Sequence, residues 1–285
     1  MNPVQQAIWF LENRLTQPVD LDDVARAGGV SRFHMARAFA ASTGYPVIGY
    51  LRARRLTEAA RLLARGAPDI LSVALEIGYG SHEAFTRAFR DQFGITPERV
   101  RAARDLEALP LVEPIMLDST PRPDLSAPRF EDGRPLLLAG ILHHCDAMDG
   151  GASIPGQWRR LIPHLGHIPG QVGGELADVT YGVCTNGDDH GNFDYLAGVE
   201  VDDFSDLPPE LSALRIPAQH YAVFRHADHI SKIRTTMHAI WTVWLPASSY
   251  EPVDAPLFER YGPEFNPRTG EGGLEIWLPV KPKGT

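Results

Sequence analysis

Ser81-His82-Glu83-Ala84-Phe85-Thr86-Arg87-Ala88-Phe89-Arg90-Asp91-Gln92-Phe93-Gly94 restates, fifty residues on, the stretch that runs from Ser31-Arg32-Phe33-His34-Met35-Ala36-Arg37-Ala38-Phe39 to Gly44. Ser31/Ser81, Arg37-Ala38-Phe39/Arg87-Ala88-Phe89 and Gly44/Gly94 align without a gap. Just upstream, Leu21-x-x-Val24-Ala25 is echoed by Ile70-x-x-Val73-Ala74, and a glycine turn precedes each Ser: Gly28-Gly29 in one copy, Gly78-Tyr79-Gly80 in the other. A short helix, a glycine turn, a Ser at the N-cap and a second helix spell a helix-turn-helix. Two copies predict two recognition helices on one chain. Between them YLRARRLTEAARLLARG, closed by Gly66 and Pro68, reads as one long Arg-rich helix that holds the units at a set separation.

Charge is divided along the chain. Residues 1–108 carry 14 Arg, no Lys and 12 acidic side chains, net +2; the remainder carries 13 basic and 24 acidic ones, net −11. The overall charge of −9 therefore does not argue against DNA binding by the first part. At 285 residues the chain suits two domains, and Pro110, Pro114, Pro121, Pro123 and Pro128 mark residues 109–129 as a semi-extended linker between residues 1–108 and 130–285. No apolar run is long enough to span a bilayer, so no membrane partner is expected. The first residues lack a signal-peptide pattern, and only Cys145 and Cys184 are present. A cytoplasmic setting is the expectation.

Beyond residue 130 the period switches from helical to alternating. Strands are predicted over 134–145, 178–185, 193–201, 219–226, 257–261 and 274–280, with one helix around Trp158 and another carrying Ile230, Ile233, Met237, Ile240, Trp241 and Trp244. The fold class expected is an all-α N-terminal domain with two helix-turn-helix units, followed by an α+β domain of two strand-helix-strand-strand halves.

Within each recognition helix, Met35 and Phe39, or Phe85 and Phe89, set the core side. The opposite side presents Arg32, Phe33, Ala36, Arg37 and Ala40 in one copy and His82, Glu83, Thr86, Arg87 and Arg90 in the other. Arg37 and Arg87 share one place in the repeat, where Arg could donate in bidentate fashion to guanine. Phe33 either touches a thymine methyl or covers a neighbouring helix. Glu83 accepts from cytosine or pairs with Arg87. Ser31 and Ser81 are read as caps whose helix ends can approach phosphates. These ten, Ser31, Arg32, Phe33, Arg37, Ser81, His82, Glu83, Thr86, Arg87 and Arg90, form the expected interface with double-stranded DNA.

The run Ile70-x-x-Val73-Ala74-x-x-x-Gly78-Tyr79-x-Ser81-x-x-x-Phe85-x-Arg87-x-Phe89-Arg90-x-x-x-Gly94-x-Thr96-Pro97-x-x-x-Arg101 resembles the signature of the AraC/XylS family of transcription regulators. The resemblance covers about one hundred residues and implies a seven-helix domain whose recognition helices enter successive major grooves, with RNA polymerase as a further partner. Val100 stands where the family usually has an aromatic, and Ala36 where relatives tend to have a polar base reader.

In Leu274-Glu275-Ile276-Trp277-Leu278-Pro279-Val280, alternation sets Glu275 and Trp277 side by side on one face. A carboxylate beside an indole suits a cation. GGLEIWLPV, the preceding Phe258-Glu259-x-Tyr261 and the doubled strand-helix-strand-strand order are similar to the GyrI-like effector-binding domain. That resemblance implies a cleft for an amphipathic or cationic small molecule, lined by an acidic residue on a strand and by aromatics. Glu275 is its acidic residue by motif, with Trp277, Tyr181, Phe193, Tyr195, Trp158, Tyr221 and Trp241 as the candidate lining. Some such domains resemble hydrolases, in which Glu200 or Glu275 would activate water; the reading preferred is a sensor and not an enzyme. His143-His144-Cys145 and His226-x-x-His229 offer zinc-type ligands, but neighbours on a strand point to opposite faces. No metal and no cofactor are expected.

Overall fold

The computed structural model describes residues 2–116, 125–145, 153–174, 177–188 and 192–284. Seven helices occupy residues 3–103: α1 (Pro3–Glu12), α2 (Leu21–Gly28), α3 (Arg32–Thr43), α4 (Val47–Ala64), α5 (Ile70–Glu76), α6 (His82–Phe93) and α7 (Pro97–Ala103). The repeat determines how both recognition helices begin and end. Ser31 Oγ accepts from the His34 amide and Ser81 Oγ from the Ala84 amide at 3.2 Å, which satisfies N–H groups the first turn leaves unpaired. Gly44 (φ 77°) and Gly94 (φ 69°) close α3 and α6 in the left-handed conformation that glycine adopts without strain.

The domain has two cores because α4 divides it. Met35, Phe39, Tyr50 and Leu51 pack with α1 and α2; Leu56, Leu63, Phe85, Phe89, Phe93 and Val100 form the other cluster. Val100 is buried among apolar neighbours, so an aliphatic side chain meets the need at that position.

Arg54 ties α4 to its surroundings. Only 3% exposed, it donates to both Glu12 oxygens at 2.9 and 3.0 Å, to Glu58 at 3.1 Å and to the Val112 carbonyl at 2.8 Å. Tyr50 adds a 2.6 Å bond to Glu12. The chain after α7 is extended, yet its described part is strapped along α4: the Val112 amide donates to Thr57 and the Ile115 amide to Tyr50. Pro121 and Pro123 lie outside the described residues.

The second half is one antiparallel sheet in the order β1-β6-β9-β8-β3-β4-β2-β5, with β7 added on β9. Its strands are β1 (Arg129–Gly133), β2 (Leu136–Cys145), β3 (Thr180–Thr185), β4 (Phe193–Glu200), β5 (Ser212–Ile216), β6 (Gln219–His226), β7 (Tyr250–Pro252), β8 (Phe258–Tyr261) and β9 (Leu274–Pro282). The two predicted halves are β2-α8-β3-β4 and β6-α9-β8-β9, where α8 is Ile154–Leu161 and α9 is Ile233–Ala239. Strands β1, β5 and β7 are additions to the predicted set. They are short and at or near the sheet margin, where alternation is too brief to read. Beyond α9 the helix widens into a π turn, Ile240–Trp244, before Pro246, as happens where proline removes a donor from the ladder.

Both helices lie on one face of the sheet. α8 covers β2 and β4, whereas Met237, Ile240 and Trp241 cover β6 and β9. Over β3 and β8, between the two helices, the sheet is left for something else to cover.

Removing Arg54 leaves Glu12 without its cation and the Val112 carbonyl without its side-chain donor, while Glu58 keeps Arg61 at 2.7 Å. Arg54→Ala is therefore expected to lower unfolding stability by about 3 kcal/mol, read from urea unfolding followed by circular dichroism.

Candidate functional site

Register assembles a carboxylate site in the gap between α8 and the π turn. Glu259 on β8 pairs opposite Gly182 on β3, and Tyr195 on β4 pairs opposite Cys184 on β3. Side chains two apart share a face, so Glu259, Tyr261, Gly182, Cys184 and Tyr195 converge there. Tyr261 Oη donates to Glu259 Oε2 at 2.8 Å, Tyr195 Oη to the same oxygen at 3.3 Å, and Trp158 Nε1 of α8 to Tyr195 Oη at 3.1 Å. The Trp158 indole stands edge-on to Tyr261 with centroids 5.0 Å apart. Gly182 makes room: a Cβ there would lie 2.2 Å from Tyr195 Oη and 2.8 Å from Glu259 Oε2.

Glu259 is 9% exposed. Burial raises its pKa, opposed by the charge of Arg37 and by the hydroxyls of Tyr261 and Tyr195. Among the described residues no cation lies within ion-pair distance of this carboxylate, and the strongest positive charge acting on it comes from Arg37 in the other domain. Burial pushes the Cys184 thiol up to about 11, so it stays neutral.

Helix α3 covers this site. Phe33 packs against both the α8-side cluster and the core around Trp241, with its ring edge against Gly187. His34 is fully buried and its ring meets the Trp241 indole at 5.3 Å. Arg37 is half-buried, its guanidinium lies 5.9 Å from the Phe33 ring centroid, and its charge acts on Cys184, Glu259 and Tyr195. The expectation that Phe33, Ala36 and Arg37 face solvent is thus corrected: one more apolar partner, the second domain, was available to cover them. Of the two alternatives for Phe33, the structure shows packing against neighbouring elements.

The second copy is different. Arg87, Arg90 and Glu83 are exposed, and with His82, Thr86, Asp91 and Gly94 they border an open concavity on α6. His82 lies 3.5 Å from Glu98 of α7. The helix-start amide and Ser81 hold the Glu83 carboxyl below its usual range, and Glu83 makes no ion pair with Arg87 among the described residues. In the first copy Arg32 lies at the surface, 3.4 Å from Asp22.

The eight effector candidates separate onto two faces. Trp158 and Tyr195 line the Glu259 site, Phe193 lies on the same face at the start of β4, and Trp241 lies on that face in the core around His34. Glu275, Trp277, Tyr181 and Tyr221 lie on the reverse face with Phe258. There Glu275 meets Arg129 at 2.8 Å and Arg260 at 3.2 Å, and accepts from Trp277 Nε1 at 3.0 Å. Its charge is already matched within the domain. Glu200 likewise pairs with Arg134, so neither proposed water-activating carboxylate stands free. The acid missed by the sequence reading is Glu259. Its signal was in Phe258-Glu259-x-Tyr261, where alternation puts Glu259 and Tyr261 on one face. Among the described residues, no three His, Cys, Asp or Glu side chains converge to hold a metal.

Residues 126–281 match the GyrI-like small molecule binding domain and residues 24–103 a helix-turn-helix domain. The chain belongs to the GyrI-like family, joined to an AraC-type DNA-binding domain. It is a DNA-binding transcription regulator with a small-molecule binding domain. It is 27% identical to the transcriptional regulator Rob of Salmonella typhimurium (strain LT2) and 26% identical to the right origin-binding protein of Escherichia coli (strain K12), in each case over 98% of both chains. A solved structure of SAV2435 bound to tetraphenylphosphonium is also similar: 23% identity, 54% of this chain, 93% of that one, TM-score 0.42. No described helix of this regulator is long and apolar enough to cross a membrane.

His34 supplies a test of the regulator's closed arrangement. Burial, then the charge of Arg37, hold its pKa down to about 3. The unfolded chain takes up the proton below about 6.5 and the folded one does not until about 3, so stability falls as pH drops through that window. Between pH 7 and 5 the parent is expected to lose about 2 kcal/mol more than a His34→Gln variant, measured by denaturant unfolding at the two pH values.

Proposed function

We propose that the GyrI-like domain of this regulator senses a hydrophobic organic cation at the Glu259 site. The observation that carries the reading is a buried carboxylate held by two tyrosine hydroxyls, walled by Trp158 and Tyr261, with no cation within ion-pair distance among the described residues. A ligand of complementary chemistry brings one positive charge and an apolar body. Charge pairing in a site shielded from water, together with cation–π contact, then favours it over neutral or anionic molecules.

On the DNA side, we assign base readout to Arg87 of α6, with His82, Thr86 and Arg90 beside it and the Ser81 end of the helix toward phosphate. Arg32, Phe33 and Arg37 of α3, with Ser31 at its start, are the matching set in the first unit. Residues 109–129 serve as the linker between sensing and reading domains. The protein acts in the cytoplasm, with RNA polymerase as its eventual partner and without catalysis of its own: Glu200 and Glu275 are both neutralised by Arg and the Cys184 thiol is not ionised.

Titration with tetraphenylphosphonium, followed by tryptophan fluorescence, tests the ligand class. Glu259→Gln is expected to weaken binding at least about ten-fold, equivalent to 1.4 kcal/mol, while Glu275→Gln leaves it nearly unchanged. The opposite pattern would return the site to the reverse face of the sheet. For DNA, Arg87→Ala is expected to cost about 1 to 3 kcal/mol and to relax preference at a single base pair, measured by mobility shift on a panel of single-base variants. A loss shared equally by all sequences would make Arg87 a phosphate contact.

A further inference from the structure

The same side chain that aligns with Arg87 in the repeat is the one that reaches the Glu259 site. We propose that Arg37 is a built-in cation surrogate: it occupies the effector site from the other domain, so that an organic cation displaces it and frees α3 for DNA. This inference rests on the reading of Glu259 as a cation site.

Three observations support it. First, what α3 turns toward the second domain is a composed surface. Phe33, Ala36 and Arg37 lie three and four residues apart on one side of the helix, and Phe33 and Ala36 pack into cores that extend across the domain boundary. At the corresponding places of α6 stand Glu83, Thr86 and Arg87, with Glu83 and Arg87 exposed. Only the arginine is common to both. In one unit its charge acts on Glu259 from beyond ion-pair distance, and in the other it faces solvent.

Second, the seal is imperfect. His34 Nε2 and Trp241 Nε1 are buried with no hydrogen-bond partner among the described residues, on rings that touch each other across the two domains. Buried polar atoms left unpaired weaken a contact relative to its exposed state. A permanent interface would bury apolar atoms there; one that must open tolerates these.

Third, the two states exclude one another. While Phe33 and Arg37 are in the cleft, α3 cannot lie in a major groove. A cation that binds only the vacated cleft must therefore favour DNA binding, and DNA must favour the cation by the same factor.

The test uses the full chain and tetraphenylphosphonium, with binding measured by calorimetry for the parent and for Arg37→Ala. Loss of the internal competitor is expected to tighten cation binding about five-fold or more. Ethylguanidinium at millimolar concentration is expected to raise the Tm of Arg37→Ala and not that of the parent, because only the variant has the vacant guanidinium position. In the parent, saturating tetraphenylphosphonium is expected to raise affinity for a specific DNA site about five-fold or more. Equal cation affinity in parent and variant, with binding intact, would overturn the latch and leave the Glu259 reading standing. Cation binding by neither protein would overturn both. Circular dichroism of Arg37→Ala separates either result from misfolding, and in that event Glu259→Gln substitutes for it: higher DNA affinity without cation supports the latch, and unchanged affinity overturns it.

Discussion

A carboxylate removed from water must be neutralised, protonated or matched by a cation, because an unpaired buried charge is among the costliest arrangements a protein can hold. Glu259 is in that position. The hydroxyls of Tyr261 and Tyr195 supply hydrogen bonds but no charge, and burial raises its pKa against them. Every other acid argued for this domain has an arginine of its own: Arg129 and Arg260 for Glu275, Arg134 for Glu200. The exception among them is what makes the cleft between α8 and the π turn chemically distinct from the rest of the sheet. Helix α3 lies over this cleft through the packing of Phe33, Ala36 and His34, and Arg37 is the positive charge that acts most on Glu259.

The sheet's two faces show how finely this depends on register. Arg260 and Glu259 are adjacent, yet one joins the neutralised cluster around Trp277 and the other enters the cleft. A one-residue slip of β8 against β3 would exchange them. Gly182 enforces the arrangement sterically, because any side chain there would enter the space that Tyr195 and Glu259 share.

The DNA-binding half is one unit written twice with two different outward surfaces. Both units keep the Ser cap, the glycine stop and the apolar pair that seats the helix. Their outward faces part ways: α6 presents the charged Glu83, Arg87 and Arg90, whereas α3 carries Phe33, Ala36 and Ala40 beside Arg32 and Arg37. A face of that composition is suited to lying against a protein surface as well.

The repeat, the caps, the glycine stops and the change from helical to alternating period were legible in the chain because they depend on neighbours within about a turn or a strand. So were the two halves of the second domain. The weaker margins, β1, β5 and β7, were not, being too short to show a period. The identity of the acid in the cleft was half-written: Phe258-Glu259-x-Tyr261 contained it, but Glu275 beside Trp277 had the same local look. Only the tertiary structure separated them, because a carboxylate's role depends on which cations the fold brings near it, and Arg129 and Arg260 arrive from other strands. The fate of Arg37 was beyond the sequence for the same reason. Its equivalence to Arg87 is a fact of the repeat, while its burial beside Cys184 and Glu259 is a consequence of contact between residues some 150 to 220 positions apart, which no local pattern records.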